Sequence, residues 1–198
     1  MKIENYHCIK SLELPSGWVE VKSNAEFAPR SIRTFAPASE TKVKIGLLNE
    51  GVPVGKAATE AFRKLIGSGQ RIVFDDTKQK KPSAADQQLM GKAAPAFGNI
   101  GNNQIVNEMT GPCGPVFNLE RVEVLVWNGR PVLAIRGWFC NPESGTRINA
   151  YCGFLVDLNA GETECQIEQI YIEASTENLY LQYLPAFEQS MRSIQWIS

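Results

Sequence analysis

Histidine occurs once in the 198 residues, at His7, so any catalytic triad or dyad built on an imidazole has to use that ring. His7 adjoins Cys8, and adjacent side chains on an extended strand point to opposite faces. That favours a strand-edge imidazole with a thiol on the other side over a direct Cys–His pair. An excess of one charge is also missing. Lys and Arg total 20 against 21 Asp and Glu, a net charge of −1, so nothing recommends nucleic acid or an anionic membrane as a partner. No apolar run approaches the roughly 20 residues of a membrane-spanning helix; the longest, around 122–127 and 132–135, are strand length. The opening Met1-Lys2-Ile3-Glu4-Asn5-Tyr6-His7 interrupts the apolar stretch that a secretory signal requires. Cys8, Cys113, Cys140, Cys152 and Cys165 are odd in number, lie far apart and form no C-x2-C knuckle. Such spacing suits reduced thiols better than a disulfide framework or a zinc finger. Together these gaps lead to the expectation of a cytoplasmic protein with no metal or cofactor.

What is present suits one α+β domain over residues 1–198, since a chain 43% apolar and 21% charged can bury most of its apolar surface around a core. Ile9, Leu12 and Leu14 lead into Pro15-Ser16-Gly17, after which Trp18, Val19 and Val21 return, the pattern of a hairpin. Residues 42–47 alternate polar and apolar as a half-buried strand does. Ala58, Phe62, Leu65 and Ile66 recur at helical spacing, predicting a helix over about 54–66. A short strand at 71–74 follows, then a polar stretch, then a short helix through Leu89 and Met90 that Ser83 and Asp86 are placed to cap. The last third reads as an antiparallel meander over 122–173, with Asn128-Gly129 and Asn159-Ala160-Gly161 as its turns. Tyr183, Leu184, Phe187, Met191 and Ile194 form the apolar stripe of a final helix, and Pro185 is expected to split it from an earlier turn beginning near Thr176.

Several chemistry-bearing patterns read more simply as structure. Gly51-Val52-Pro53-Val54-Gly55-Lys56-Ala57 imitates a phosphate loop but is one residue short, lacks the Ser or Thr that would hold magnesium, and loses an N–H at its proline, so it reads as a helix start. Asp75-Asp76, followed by Lys78, Lys80 and Lys81, reads as a solvated turn rather than an acid–base pair. Trp127 and Trp138 read as sheet packing rather than binding anchors.

Certain segments resemble the PsbP/Mog-like fold family. They are Leu14-Pro15-Ser16-Gly17-Trp18, Val132-Leu133-Ala134-Ile135-Arg136-Gly137, the strand from Arg147 to Phe154, and the close Tyr183-Leu184-Pro185-Ala186-Phe187 through Ser193-Ile194-Gln195-Trp196. The resemblance implies a mainly antiparallel sheet with flanking helices and the C-terminal helix packed on the sheet. It also implies a non-enzymatic protein that binds another protein, as do photosystem accessory subunits, regulators of a nuclear GTPase, and envelope or secretion-associated proteins. It supplies no catalytic residues.

Residues 95–115 break every periodicity, with Gly98, Gly101, Gly111 and Gly114 among Asn99, Asn102, Asn103 and Asn107. An irregular loop of that length inside a compact domain is commonly functional. This one keeps apolar anchors, so Phe97, Ile100, Asn102, Asn103, Met109 and Cys113 are the expected partner-binding residues. Two alternatives stand beside the binding module: a small-ligand carrier with a helix–sheet pocket, and an enzyme whose site the sequence does not reveal.

Overall fold

The computed structural model describes residues 1–21, 31–97, 117–140 and 147–197. In chain order the elements are β1 (Lys2–Tyr6), β2 (Ile9–Glu13), β3 (Trp18–Val21), β4 (Ser31–Pro37), β5 (Val43–Asn49), α1 (Lys56–Gly67), β6 (Arg71–Asp75), α2 (Ala84–Lys92), β7 (Phe117–Trp127), β8 (Arg130–Cys140), β9 (Arg147–Asp157), β10 (Ile167–Ala174), α3 (Glu177–Ser193) and β11 (Gln195–Trp196). Among the described residues they make two sheets: eight strands in the order β3-β4-β5-β10-β9-β8-β7-β6, and three in the order β1-β2-β11. Every pairing is antiparallel.

Side-chain alternation decides which face each element covers. Val132, Ala134, Ala150, Cys152, Phe154, Val156, Ile170 and Ile172 point to one face of the large sheet, where α3 supplies Tyr180, Phe187 and Met191 and the small sheet supplies Ile3, Ile9 and Leu12. Their neighbours of opposite parity, Val122, Val124, Leu133, Ile135, Leu155 and Ile167, meet Phe62, Leu65 and Ile66 of α1 on the other face. Burial on both sides explains why β8, β9 and β10 read as near-continuous apolar runs. On the α1 side, Tyr171 stands in register between Gly46 of β5 and Gly153 of β9. The Tyr171 ring occupies the space a Cβ of Gly46 would need, and the Tyr151 ring does the same over Gly153. The two rings stack with centroids 5.6 Å apart, so glycine is required here for close approach.

The meander over 122–173 is present, with β7 beginning earlier, at Phe117. Asn128 (φ 46°) and Gly129 (φ 83°) form its first turn. The predicted helices stand at Lys56–Gly67 and Ala84–Lys92, and Ser83 Oγ accepts the Asp86 N–H as the cap requires.

Four expectations are corrected. Pro15-Ser16-Gly17 does not close a hairpin: both edges of β2 are already taken by β1 and β11, so β3 crosses to the large sheet and pairs with β4. Nor does Pro185 split the last helix, which runs through it from Glu177 to Ser193. The carbonyl that loses its donor belongs to Leu181, and Leu181 and Pro185 both face solvent, so that carbonyl is not left in an apolar interior. His7 and Cys8 do not lie along a strand but form the turn between β1 and β2. Asp75 is buried rather than solvated. The Thr77 hydroxyl donates to it at 2.6 Å and Arg121 pairs with it at 3.2 Å, which together hold its carboxyl below the usual carboxylate range.

Candidate functional site

The described residues gather polar chemistry at the seam between the two sheets. The register of β10 places Glu168 between Asn49 of β5 and Val156 of β9, on the same face as Ile170 and Ile172, which turns it toward the small sheet. Glu168 has no exposed surface, and among the described residues neither of its carboxyl oxygens accepts a hydrogen bond. Burial pushes its pKa up to about 8, so at neutral pH the side chain is an uncharged acid.

The β1–β2 turn supplies the other groups. Asn5 (φ 52°) and His7 (φ 46°) both adopt left-handed backbone, which costs a residue with a Cβ roughly 1 kcal/mol. Asn49 Nδ2 lies 3.5 Å from His7 Nδ1, and His7 Nε2 lies 2.8 Å from Ser31 Oγ. An amide donor at Nδ1 fits the tautomer whose proton is on Nε2 and donated to Ser31. Burial pulls the His7 pKa down, which agrees with a neutral ring. The Tyr6 hydroxyl shares Ser31 at 3.2 Å; its pKa is pushed up to about 12 by burial and, less strongly, by Glu168.

Beside the turn opens a cleft of about 510 Å³ lined by His7, Cys8, Arg130, Leu158, Ala160 and Ile197. Burial, reinforced by Glu168 and opposed by Arg130, pushes the Cys8 thiol up to about 12. A thiol held protonated is the reverse of an activated nucleophile. His7, though adjacent, is engaged with Ser31 and Asn49 rather than with sulfur. Among the described residues no group of three His, Cys, Asp or Glu side chains is placed to hold a metal ion.

A second surface lies at the far end of the large sheet. Among the described residues β3 has a strand neighbour on one side only, β4. Trp18 anchors it inward, edge-on to Tyr183 at 5.9 Å, while Val19 and Val21 are 47% and 38% exposed.

Of the residues expected from sequence to bind a partner, Phe97 packs edge-on to Phe62 of α1 with centroids 6.3 Å apart. Ile100, Asn102, Asn103, Met109 and Cys113 lie outside the described residues. Trp127 packs edge-on to Phe154 at 5.5 Å, as sheet packing predicts. Cys8, Cys152 and Cys165 are free and buried. Sequence reasoning passed over Glu168 and Asn49. The available signal was one carboxylate inside the apolar run Ile167-Glu168-Gln169-Ile170-Tyr171-Ile172, since a central strand has no solvent face on which to place a charge.

No protein-family model matches the chain, and no curated protein matches it. Among solved structures the chain is similar to cyanobacterial PsbP (CyanoP) from Synechocystis sp. PCC 6803, at 11% identity and a TM-score of 0.51, over 100% of this chain and 92% of that one. It is also similar to LpqN, involved in cell envelope biogenesis of Mycobacterium tuberculosis (10% identity, TM-score 0.46, 94% and 82% of the two chains). A third similar structure is the Pseudomonas aeruginosa protein of unknown function PA94 (13% identity, TM-score 0.38, 93% and 90%). The fold is therefore PsbP-like. No helix among the described residues is long and apolar enough to cross a membrane.

Proposed function

We infer that this PsbP-like chain is a non-enzymatic binding or assembly module whose partner is another protein, docking along the edge of β3. The observation that carries this reading is the edge itself: a strand paired, among the described residues, on one side only, with Val19 and Val21 exposed on one face. Edge strands usually carry charge, proline or a bulge to discourage pairing. Glu20, the one charged side chain between the valines, is engaged by Arg33 through contacts of 2.8 and 2.7 Å. An extended segment of a partner would gain main-chain hydrogen bonds from the edge and apolar contact from the valines. The near-neutral net charge of −1 favours a protein over nucleic acid or an anionic membrane, and free buried thiols accord with a cytoplasmic setting.

The rival readings have less support. A carrier needs a pocket between helix and sheet, and directly beneath α3 the side chains of Trp127, Val132, Phe154, Val156, Ile170, Met191, Ile194 and Trp196 close together. The clefts beside the helices are open to solvent, one of about 250 Å³ at the end of α1 beside Arg130 and Asp157 and one of about 420 Å³ beside Ala186 and Ser190 of α3. An enzyme using the seam thiol needs an activated nucleophile, and burial holds Cys8 protonated. The test is the double substitution Val19→Lys and Val21→Lys. Stability should stay within about 0.5 kcal/mol, as for other exposed substitutions, while proteins captured by the wild type are no longer captured. An unchanged set of captured proteins would remove β3 as the docking edge.

A further inference from the structure

We propose that the seam is a proton-controlled clasp: the β1–β2 hairpin stays docked on the large sheet while the Glu168 carboxyl is neutral, and ionisation of that carboxyl drives the hairpin to lift away as a unit. Three observations carry this. Glu168 is fully buried and, among the described residues, neither of its oxygens has a hydrogen-bond partner, so once ionised it has no bond there to satisfy it. Asn49, the register neighbour of Glu168, lies 3.5 Å from His7 of the turn, and the Tyr6 hydroxyl at the end of β1 reaches Ser31 and the Leu47 carbonyl on the large sheet, so undocking of the hairpin is the movement that gives water access to the carboxyl. His7 in the turn adopts left-handed backbone (φ 46°), and backbone strain of this kind is relieved by opening.

Among the described residues, the charged and titratable groups facing the seam do not supply a counter-ion. From the turn come Tyr6, His7 and Cys8, all neutral at pH 7 with pKa values shifted in the direction that keeps them so. From β5 comes the neutral amide of Asn49. At the start of β8, Arg130 is directed to the Cys8 thiol, the Ile197 carbonyl and the face of Trp196; its buried Nη1 has no hydrogen-bond partner among the described residues and does not reach the Glu168 oxygens. Arg33 of β4 lies over the Tyr6 ring and is paired with Glu20 of β3. The sign follows directly: the docked state keeps a proton that the open state releases, so docking weakens as pH rises from the ordinary carboxylate range to about 8 and levels off above it.

The experiment is native-state hydrogen exchange from pH 6 to 9, corrected for intrinsic exchange, on the wild type and on Glu168→Gln, which is neutral at every pH. Amides of β2 should be at least about tenfold less protected than those of β9 at pH 8. Their protection should fall by up to about tenfold per pH unit between 6 and 8 in the wild type and stay level in the variant. A variant with the wild-type pH slope overturns the proposal, as does identical protection of β2 and β9 at every pH, because the hairpin would then not open separately. Should Glu168→Gln fail to fold, Glu168→Met serves as the neutral comparison. The ¹³C titration of the Glu168 carboxyl in the wild type is an independent check, and a midpoint in the ordinary carboxylate range overturns the clasp.

Discussion

The meander β7–β10 and the seam beneath the β1–β2 turn share one sheet and are built on different terms. In the meander, apolar side chains from facing elements meet directly: Phe154 stacks on Phe187 of α3 with centroids 5.7 Å apart, and left-handed backbone falls on Asn128 and Gly129, which tolerate it. In the seam a carboxyl group is buried with no partner among the described residues, and left-handed backbone falls on Asn5 and on His7, which tolerates it less well than glycine or asparagine. The contrast separates what holds this fold together from what the fold can release. Packing in the meander rests on apolar contact, whereas docking at the seam depends on one proton.

The largest expected effect breaks the meander side. Phe187→Ala removes a side chain with no exposed surface from between α3 and the sheet, and its cost in urea denaturation should be about 3–5 kcal/mol, as for other buried Phe truncations. A loss below about 1 kcal/mol would mean that α3 is not packed as described. Next comes the seam. With Glu168 at about 8 against an ordinary value near 4.5, the folded state holds a proton that the unfolded chain releases. The advantage of Glu168→Gln over wild type should therefore grow by up to about 1.4 kcal/mol per pH unit between roughly 5 and 8 and then stay constant. If the two chains have parallel stability–pH curves, the carboxyl is not buried as an acid. Third is the aromatic row: Gly153→Ala places a Cβ within the Tyr151 ring. That ring is 1% exposed and stacked on Tyr171, so it has little room to retreat, and the expected loss is about 1–3 kcal/mol. A neutral outcome would show that the ring can move aside.

The same contrast explains what was legible in the sequence. Each meander strand alternates in parity with its partner, and each turn carries a residue suited to positive φ, so Val122, Val124, Asn128, Gly129, Phe154 and Ile170 all read correctly. The helices at Lys56–Gly67 and Ala84–Lys92 were legible for similar local reasons, an apolar stripe in one and a Ser83 cap in the other. The seam was not legible, because its geometry depends on distant choices. Whether Pro15-Ser16-Gly17 closes a hairpin depends on β11, a two-residue strand near the far end of the chain that pairs Gln195 with Ser11. His7 was misplaced on a strand because the two-residue turn Tyr6–Ile9 lacks the Asn-Gly signature of tight hairpins. The continuity of α3 through Pro185 depends on which side of the helix faces water, and a local rule about proline does not contain that information.

The smallest expected effect compares the two tight turns directly. Gly129 has φ 83° and nothing within 4 Å of where a Cβ would sit, so Gly129→Ala meets backbone strain without a steric clash and should cost about 1–2 kcal/mol. At His7 the change runs the other way. His7→Gly relieves a left-handed backbone of φ 46°, a gain on the order of 1 kcal/mol. Against it stand the lost exposed contact with Ser31, the lost edge-on contact with Tyr6 at 4.5 Å, and the greater freedom that glycine gives the unfolded chain. These oppose one another at similar magnitude, so thermal denaturation at pH 6 should place His7→Gly within about 1 kcal/mol of the wild type. A clear loss beyond that would show that the His7 ring, and not the turn backbone, fastens the hairpin to β4. The unpartnered carboxyl of Glu168 would then be held under a stronger clasp than its surroundings suggest.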